Sequence, residues 1–360
     1  MWVALAAVRD LRGLRREATA EELAEFETDV MAGFVLARAA AGMADTSIGN
    51  DLVDLEQIRE WFGAPLWQMQ PRHADEYLGK VLRNSAPATR HGKAGTLSLF
   101  FDYLELRHKA EIYNLTGIVV ECPVDEMNRP ASGPAASIRI PPSEAEINTL
   151  FAGWRNDLVQ CRKFAPMARS YAAAQLMMRI GLRINECCYL DLDDIRWELG
   201  RFGKLHVRHG KGSRGRGPKQ RVVPLINGAD RTLRWYVEDV WGHFGDGWDQ
   251  PGTPLFPSER HHPDGSHIRV SREPLRAALS QAVERHLPQW KGRLTPHVLR
   301  HYCASEVYRS GMDLVAIQEL LGHQWVATTM RYVHVHREHI EDAWLKGQQR
   351  AASRLEGLLP

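Results

Sequence analysis

Four side chains between residues 297 and 332 could together do chemistry on a phosphodiester. They are two histidines, an arginine and a tyrosine: His297, Arg300, His323 and Tyr332. Arginine binds phosphate bidentately and stays charged, and histidine donates to a phosphoryl oxygen or moves a proton. A tyrosine hydroxyl, with an ordinary pKa of about 10, is a poor nucleophile unless neighbours take its proton. The set suits attack of a phenolate on a phosphodiester, with cationic side chains stabilising the transition state.

Two capped helices must position these groups. Thr295 can cap a helix that Pro296 opens and Gly311 closes. The first histidine and the arginine lie three residues apart on that helix, so they share a face. A second short helix, bounded by Asp313 and Gly322, leads into the second histidine, and the tyrosine follows nine residues later. Taken singly, each residue has an ordinary interpretation as a packed side chain or an ion-pair partner.

The combined string is far more specific than its members. HVLRH, then LGH, then TTMRY, with nine residues from histidine to tyrosine, resembles the signature of the tyrosine recombinase (phage integrase) family. The resemblance implies site-specific DNA recombination, by integration or excision. An additional predicted helix over 19–42 favours a transposon-borne integrase within that family. Two alternatives from other classes remain: a type IB topoisomerase-like nicking enzyme, and a DNA-binding protein that keeps the fold without the chemistry.

Two upstream segments supply further matches to the family. The string GLRINE resembles its first catalytic arginine segment, which makes Arg183 a phosphate ligand and Glu186 its support; the alternative is a surface ion pair at i,i+3 spacing. Residues 201–221 hold eight Lys or Arg and no Asp or Glu. Alternation in KLHVRH and QRVVPL predicts two strands joined by a basic, Gly-rich turn. Lys211 in that turn resembles the catalytic lysine of the family, and its alternative is a plain phosphate contact.

The resemblance therefore implies six catalytic positions, all matched in this chain: Arg183, Lys211, His297, Arg300, His323 and Tyr332. In the implied mechanism the tyrosine attacks DNA and forms a 3′-phosphotyrosyl link, which a 5′-hydroxyl of another strand then resolves. The two arginines and the second histidine hold the non-bridging oxygens. The first histidine accepts the phenolic proton, and the lysine protonates the departing 5′-oxygen. No metal, ATP or other cofactor is expected, because the covalent link conserves the bond energy.

Further cations are candidate contacts to double-stranded DNA, since Lys and Arg neutralise phosphates. The ordinary alternative for any one of them is a solvated surface charge. The candidates are Arg72, Lys80, Arg90, Lys93, Arg208, Arg214, Arg216 and Lys219. Four cleavages at two duplex sites imply a homo-tetramer assembled on DNA, with a C-terminal helix after Tyr332 docking on a neighbouring protomer.

The predicted fold is mainly α with a small antiparallel β-sheet, arranged as a clamp around DNA. We expect an N-terminal helical extension over 1–45, a helical core DNA-binding domain over 46–122, a Pro- and Gly-rich linker over 123–142, and a mixed α/β catalytic domain over 143–360. The resemblance to the family covers the last of these by motif. The helical domain is similar in its architecture alone.

Local signals place the first helices. Thr19 and Glu22 form a capping box, and the helix that follows ends at Gly42. A second helix begins near residue 46, and Pro71 and Pro87 open two more. Their apolar residues recur at helical spacing, which indicates a compact helical bundle.

Composition sets the remaining expectations. The formal net charge of +2 neither demands nor excludes nucleic acid. The five cysteines lack CxxC pairing, which indicates reduced thiols, and the sixteen histidines lack an HExxH pattern for a metal. ERHHPDG, at 259–265, is interpreted as a solvated loop. The first ten residues have no basic region ahead of their apolar run, and GFVLARAAAG is too short to span a membrane. We therefore expect a soluble cytoplasmic protein with no membrane partner.

Overall fold

A computed structural model describes residues 18–131, 140–210 and 219–322, together with residue 348. The described residues form two compact units: 18–131, and 140–210 together with 219–322. Both units are mainly helical, and the described strands are antiparallel and lie in the second unit. The predicted fold class is confirmed. The C-terminal helix predicted after Tyr332 lies outside the described residues apart from residue 348.

The first unit is a bundle of short-looped helices. They are α1 (Ala20–Ala40), α2 (Asp45–Phe62), α3 (Pro71–Glu76), α4 (Pro87–Arg107) and α5 (Lys109–Thr116). The predicted capping box starts α1, since the Thr19 side chain accepts from the Glu22 amide and the Glu22 carboxylate accepts from the Thr19 amide. The two predicted prolines each occupy the first turn of their helix. Local capping and proline geometry therefore set these helix starts.

The helix α1 shares one core with the rest of this unit. Val30 and Phe34 on α1 are buried in the same cluster as Leu55 on α2 and Phe100 on α4. The rings of Phe34 and Phe100 pack edge to face with their centroids 5.3 Å apart. Val124 is buried in the same cluster. The predicted boundary at 45 thus lies between two helices of one core, and the predicted linker begins with residues that pack on it.

The second unit contains seven helices and two small sheets within the described ranges. Its helices are α6 (Glu144–Gln160), α7 (Phe164–Ile180), α8 (Ile184–Cys188), α9 (Ala229–Trp235), α10 (Arg272–His286), α11 (Pro296–Arg309) and α12 (Leu314–Leu321). Its strands are β1 (Ile195–Arg196), β2 (Lys204–Gly210), β3 (Lys219–Pro224), β4 (Pro257–His261) and β5 (His267–Arg269). Ser143 caps α6 through the amide of Glu146.

The strands β1, β2 and β3 form an antiparallel sheet in that order. The predicted pair of basic strands is confirmed as β2 and β3, with Leu205 opposite Val223 and Val207 opposite Arg221. A second hairpin pairs β4 with β5. The interpretation of 259–265 as a plain loop was wrong for its first residues, because His261 lies opposite His267 in that hairpin.

The helix α7 runs through the centre of the second unit. It is buried almost all round, with Leu176, Met177 and Ile180 in the core as predicted, and it packs against α10 and α11. A helix that is apolar on every side needs neighbours on every side. Its end therefore places the following residues, including Arg183, against other elements. Among the described residues, no helix combines the length and apolar character needed to cross a membrane.

Candidate active site

Both helices predicted to carry the site begin and end as the sequence indicates. The hydroxyl of Thr295 accepts from the amide of Val298, with Pro296 in the first turn of α11. The carboxylate of Asp313 accepts from the first amides of α12, and Gly322 ends that helix with a φ of 65°. These caps fix where α11 begins and where the chain leaves α12.

Arg183 and Glu186 form the pair that the GLRINE string predicts. Arg183 stands immediately before α8, and its Nη1 donates to Glu186 Oε1 over 2.7 Å. The backbone amide of Arg183 donates to Glu186 Oε2 over 2.8 Å. The carboxylate is buried, whereas the arginine side chain keeps 26% of its surface exposed. The two interpretations of the string are thus compatible, because the ion pair itself orients a partly exposed guanidinium.

Arg300 joins this pair from α11. Its side chain is fully buried, and Nη1 lies 4.0 Å from Glu186 Oε2. The guanidinium donates to the backbone carbonyls of Gly181 and Leu321. The structure therefore brings the two predicted catalytic arginines to one carboxylate, although they are far apart in the sequence.

Sequence reasoning missed Arg221 on β3. Its Nη1 and Nη2 donate to the two oxygens of Glu186 over 2.8 and 2.7 Å, and its Nε donates to the carbonyl of Leu320 over 3.2 Å. A signal was present, because Arg221 lies two residues before the buried Val223 and so shares its face of β3. The sequence pattern groups it with the other cations of the basic hairpin.

The arginines determine the charge of Glu186. Burial alone would raise the pKa of this carboxyl, but the hydrogen bonds and charge of Arg221, helped by Arg183, lower its pKa to about 2. Glu186 is therefore ionised at neutral pH. One buried negative charge holds the guanidinium groups of three arginines near each other, in spite of their mutual repulsion.

His297 lies on the exposed side of α11, three residues before the buried Arg300. Its ring packs edge to face on the ring of His301, with the centroids 4.2 Å apart. An exposed imidazole at the first turn of a helix is accessible to a ligand. This position is compatible with the predicted proton-transfer role, which stays a prediction.

An open cleft of about 390 Å³ lies beside the arginines. Arg183 and Arg221 line it together with residues from β2, β3 and α12, among them Gly210, Lys219 and Gly322. Gly210 and Gly322 directly precede Lys211 and His323 in the sequence. Those two residues and Tyr332 lie outside the described residues. Of the predicted catalytic residues that the structure describes, Arg183 lines this cleft, whereas His297 and the buried Arg300 are not among its lining residues.

The candidate DNA contacts divide by exposure. Arg72, Lys80 and Lys219 are exposed, and Arg90 is partly buried. Lys80 makes an exposed i,i+4 ion pair with Glu76. Pairs of this kind contribute little to stability and leave the ammonium accessible. Arg214 and Arg216 lie outside the described residues.

Two other candidates are occupied within the fold. Lys93 is buried, and its ammonium donates to Asp54 over 2.8 Å and to Gln57 over 2.6 Å. The guanidinium of Arg208 binds the buried carboxylates of Asp191 and Asp194. A basic stretch can contain such residues because some of its cations pair with buried carboxylates of the fold instead of with DNA phosphates. We therefore remove Lys93 and Arg208 from the candidate contacts.

Within the part of the chain that the structure describes, no three His, Cys, Asp or Glu side chains are grouped to hold a metal ion. The five cysteines are all free thiols. Burial raises the pKa of Cys303 to about 12, so this thiol stays protonated at neutral pH. His261 and His267 instead direct Nε2 at the backbone carbonyls of Phe244 and Asp246.

Comparison with known proteins matches residues 146–339 to the phage integrase family. The chain is similar to the tyrosine recombinase XerC of Vibrio vulnificus, with 27% identity over 323 residues that cover 88% of this chain and 90% of that protein. It is also similar to the tyrosine recombinase XerC of Xanthomonas campestris, with 31% identity over 228 residues that cover 62% of this chain and 62% of that protein.

Solved structures share the fold. The recombinase XerH bound to a palindromic difH substrate covers 83% of this chain, and 79% of XerH is matched, with a TM-score of 0.62 and 18% identity. The Tn1549 transposon integrase in complex with transposon right end DNA covers 85% of this chain, and 94% of the integrase is matched, with a TM-score of 0.60 and 15% identity.

Proposed function

We propose that this chain, which belongs to the phage integrase family and is a tyrosine-type site-specific recombinase, recombines duplex DNA through a 3′-phosphotyrosyl link on Tyr332. The observation that carries the proposal is the convergence of Arg183 and Arg300 on the buried Glu186 beside an open cleft. Cleavage of a phosphodiester develops charge on the non-bridging oxygens, and fixed guanidinium groups stabilise that charge.

The remaining roles follow from the chemistry of each group. The phenolate of Tyr332 attacks phosphorus, and His297 accepts the phenolic proton. The bond from phosphorus to the 5′-oxygen breaks, and Lys211 gives that oxygen its proton. His323 assists the arginines. In the second half of the reaction a 5′-hydroxyl from another strand attacks the phosphotyrosine, and the tyrosine leaves, so the number of phosphodiester bonds is conserved.

The accessible cations of the two units supply the sequence-independent part of DNA binding. Among the described cations we propose Arg72, Lys80, Lys219 and the partly buried Arg90 as contacts, and we add Arg214 and Arg216 from the hairpin turn. Each phosphate contact releases counterions, so binding weakens as salt rises.

We also propose a homo-tetramer on DNA, since two duplex sites contain four strands to cut, with the C-terminal helix joining protomers. The proposed compartment is the cytoplasm, and the proposed setting is a transposon.

Formation of a covalent adduct tests the proposal. Suicide duplexes with a nick, tiled across the DNA that flanks the gene, are incubated with the protein and separated on a denaturing gel. We expect the wild-type chain to form a protein–DNA band, Tyr332→Phe to form none, and both to bind DNA with similar affinity because only one oxygen is removed. Tyr189→Phe is the matched control, since Tyr189 is an exposed tyrosine of the second unit.

Two outcomes would contradict the proposal. An adduct formed by Tyr332→Phe would mean that another residue is the nucleophile. An adduct that reseals only its own duplex, and never joins strands from two different duplexes, would favour the topoisomerase-like alternative. A labelled acceptor strand on a second duplex separates these cases.

A further inference from the structure

We propose that Arg221 is a positioning residue for strand cleavage. It holds the carboxylate of Glu186 in a fixed position relative to the end of α12, and this carboxylate in turn holds Arg183. The inference rests on the proposed function, since it assigns a role to Arg221 in the same reaction. Arg221 itself comes from the basic stretch that also supplies the candidate DNA contacts Arg214, Arg216 and Lys219. Its side chain is 10% exposed, so its main partners are inside the protein.

The side chain of Arg221 joins three separate elements. Its backbone belongs to β3, its guanidinium holds Glu186 on α8, and its Nε donates to Leu320 at the end of α12. These partners are 35 and 99 residues away in the sequence. A planar guanidinium has donors in a fixed fork, so it fixes direction as well as distance. Movement of any one element would break bonds to the other two.

Arg221 also determines how Glu186 holds Arg183. Each oxygen of Glu186 accepts one bond from Arg221 and one from Arg183. The bidentate pair with Arg221 fixes the plane of the carboxylate, so the bond to Arg183 Nη1 has one direction. Without Arg221, the two bonds from Arg183 alone would hold the carboxylate against rotation toward Arg300, whose Nη1 is 4.0 Å away. The orientation of a catalytic guanidinium thus depends on a second guanidinium that is bonded to the same carboxylate.

The contact with Gly322 extends this role toward His323. A Cβ at Gly322 would lie 2.9 Å from Arg221 Cδ and 3.1 Å from its Nη1. The φ of Gly322 is +65°, which other residues rarely adopt. Arg221 therefore lies directly against the backbone of the residue that precedes His323. The same side chain fixes the direction of Arg183 and the point at which the chain continues to a second catalytic residue.

Arg208 provides a matched control for a purely structural tie. It lies on β2, the neighbouring strand, and its guanidinium also binds buried carboxylates, those of Asp191 and Asp194. In the described part of the chain the ion pairs of these aspartates are with Arg208, Arg269 and His206, not with Arg183 or Arg300. Loss of Arg208 therefore removes a comparable tie from the same sheet without touching the predicted catalytic arginines.

The experiment compares Arg221→Gln and Arg221→Lys with Arg208→Gln. For each variant we measure DNA affinity, thermal unfolding, and the single-turnover rate of adduct formation on the nicked duplex at saturating DNA. We expect Arg221→Gln to slow cleavage by up to about 100-fold, since small displacements of a catalytic group cost that much. Affinity should change less than about threefold, because only a small part of Arg221 is exposed. Arg221→Lys should stay slow, since one ammonium replaces a bidentate fork.

The pH profile of cleavage supplies a readout that a general loss of stability would not move. Arg183, Arg221, Arg300 and the thiol of Cys187 face Glu186. Removing Arg221 removes the groups that most lower the pKa of Glu186, so the acid limb of the profile should move to higher pH. Arg208→Gln should lower thermal stability, leave the rate at saturating DNA within about threefold of wild type, and keep the wild-type profile.

Equal losses of rate in Arg221→Gln and Arg208→Gln would overturn the inference, as would wild-type rate in Arg221→Lys. If Arg221→Gln does not fold, the rate and pH profile of Arg221→Lys decide the matter. Failure of the proposed function looks different, because the wild-type chain itself would then form no adduct.

Discussion

Two clusters of buried carboxylates in the second unit are built alike but are balanced differently. The Glu186 cluster comprises one carboxylate and three guanidinium groups, those of Arg183, Arg221 and Arg300. The aspartate cluster comprises two carboxylates, Asp191 and Asp194, and two guanidinium groups, those of Arg208 and Arg269. Among these groups the first cluster has an excess of positive charge, and the second is formally neutral.

This difference in net charge is our reason for proposing that the Glu186 cluster binds an anion and that the aspartate cluster only stabilises the fold. Bringing more guanidinium groups together than one carboxylate can neutralise is costly inside a protein. An incoming phosphate would add negative charge beside these guanidinium groups. Arg183 is partly exposed and lines the cleft that could receive it, as does Glu319. In the aspartate cluster each charge already has its partner, so a phosphate would have to compete with them. The balance of charge, rather than burial or the number of ion pairs, distinguishes the two.

The largest expected effect comes from removing a guanidinium group from the Glu186 cluster. We expect Arg183→Ala and Arg300→Ala to slow adduct formation by about 100- to 1,000-fold, the usual loss for a donor that stabilises transition-state charge. Arg269→Ala, from the aspartate cluster, should leave the rate at saturating DNA near wild type. Rates come from single-turnover assays, with binding curves on the same samples.

Comparison of rate with binding decides how these arginines act. If Arg183→Ala weakens binding as much as it slows cleavage, it is an ordinary phosphate contact and the distinction between the clusters fails. Thermal unfolding is needed for Arg300→Ala, because that substitution leaves the carbonyls of Gly181 and Leu321 without a donor they now have.

A smaller effect is expected on stability when the carboxylate of the Glu186 cluster is neutralised. The pKa of Glu186 falls from its ordinary 4.5 to about 2 in the folded state. This depression contributes about 3 kcal/mol of stability above pH 4.5, which is lost as the pH falls toward 2. We expect Glu186→Gln to lower the free energy of unfolding by about that amount at pH 7, and the difference from wild type to narrow below pH 4.5.

Urea unfolding at a series of pH values measures this dependence. Glu259→Gln is the control, because Glu259 makes an exposed ion pair with Lys163 in the same unit. Exposed pairs contribute about 0 to 1 kcal/mol, so its effect should be small. A difference between wild type and Glu186→Gln that stays constant with pH would mean that the arginines do not depress the pKa of this carboxyl.

The sequence predicted what local geometry determines and missed what distant packing determines. The caps at Thr19, Thr295 and Asp313 involve the next few residues, so spacing alone identified them. Arg183 and Arg300 were found because short strings around them match the family signature. Their convergence on Glu186 joins segments more than a hundred residues apart, and no local pattern contains it.

The errors have the same physical origin. Lys93 lies in a basic stretch, yet packing of α2 against α4 buries it beside Asp54. Arg221 was counted with the hairpin cations, because its partners on α8 and α12 are not visible from β3 alone. The sequence gives the charge of a residue, whereas tertiary packing decides whether that charge is neutralised inside the protein or remains accessible to DNA.

The smallest expected effect concerns two lysines of the helical first unit, one accessible and one paired inside the fold. Lys80 and Lys93 are both cations with an acidic neighbour, but the side chain of Lys80 is 78% exposed beside Glu76 and that of Lys93 is 8% exposed against Asp54. A lysine that neutralises a DNA phosphate releases counterions, so its loss reduces the slope of log K against log salt by about one. We expect that reduction in Lys80→Gln and none in Lys93→Met, whose cost should appear as lower thermal stability instead. Binding measured at several salt concentrations gives both slopes. Equal reductions would show that the Asp54 pair opens when DNA binds, and an unchanged slope in Lys80→Gln would show that this face of the helical unit does not reach the phosphates.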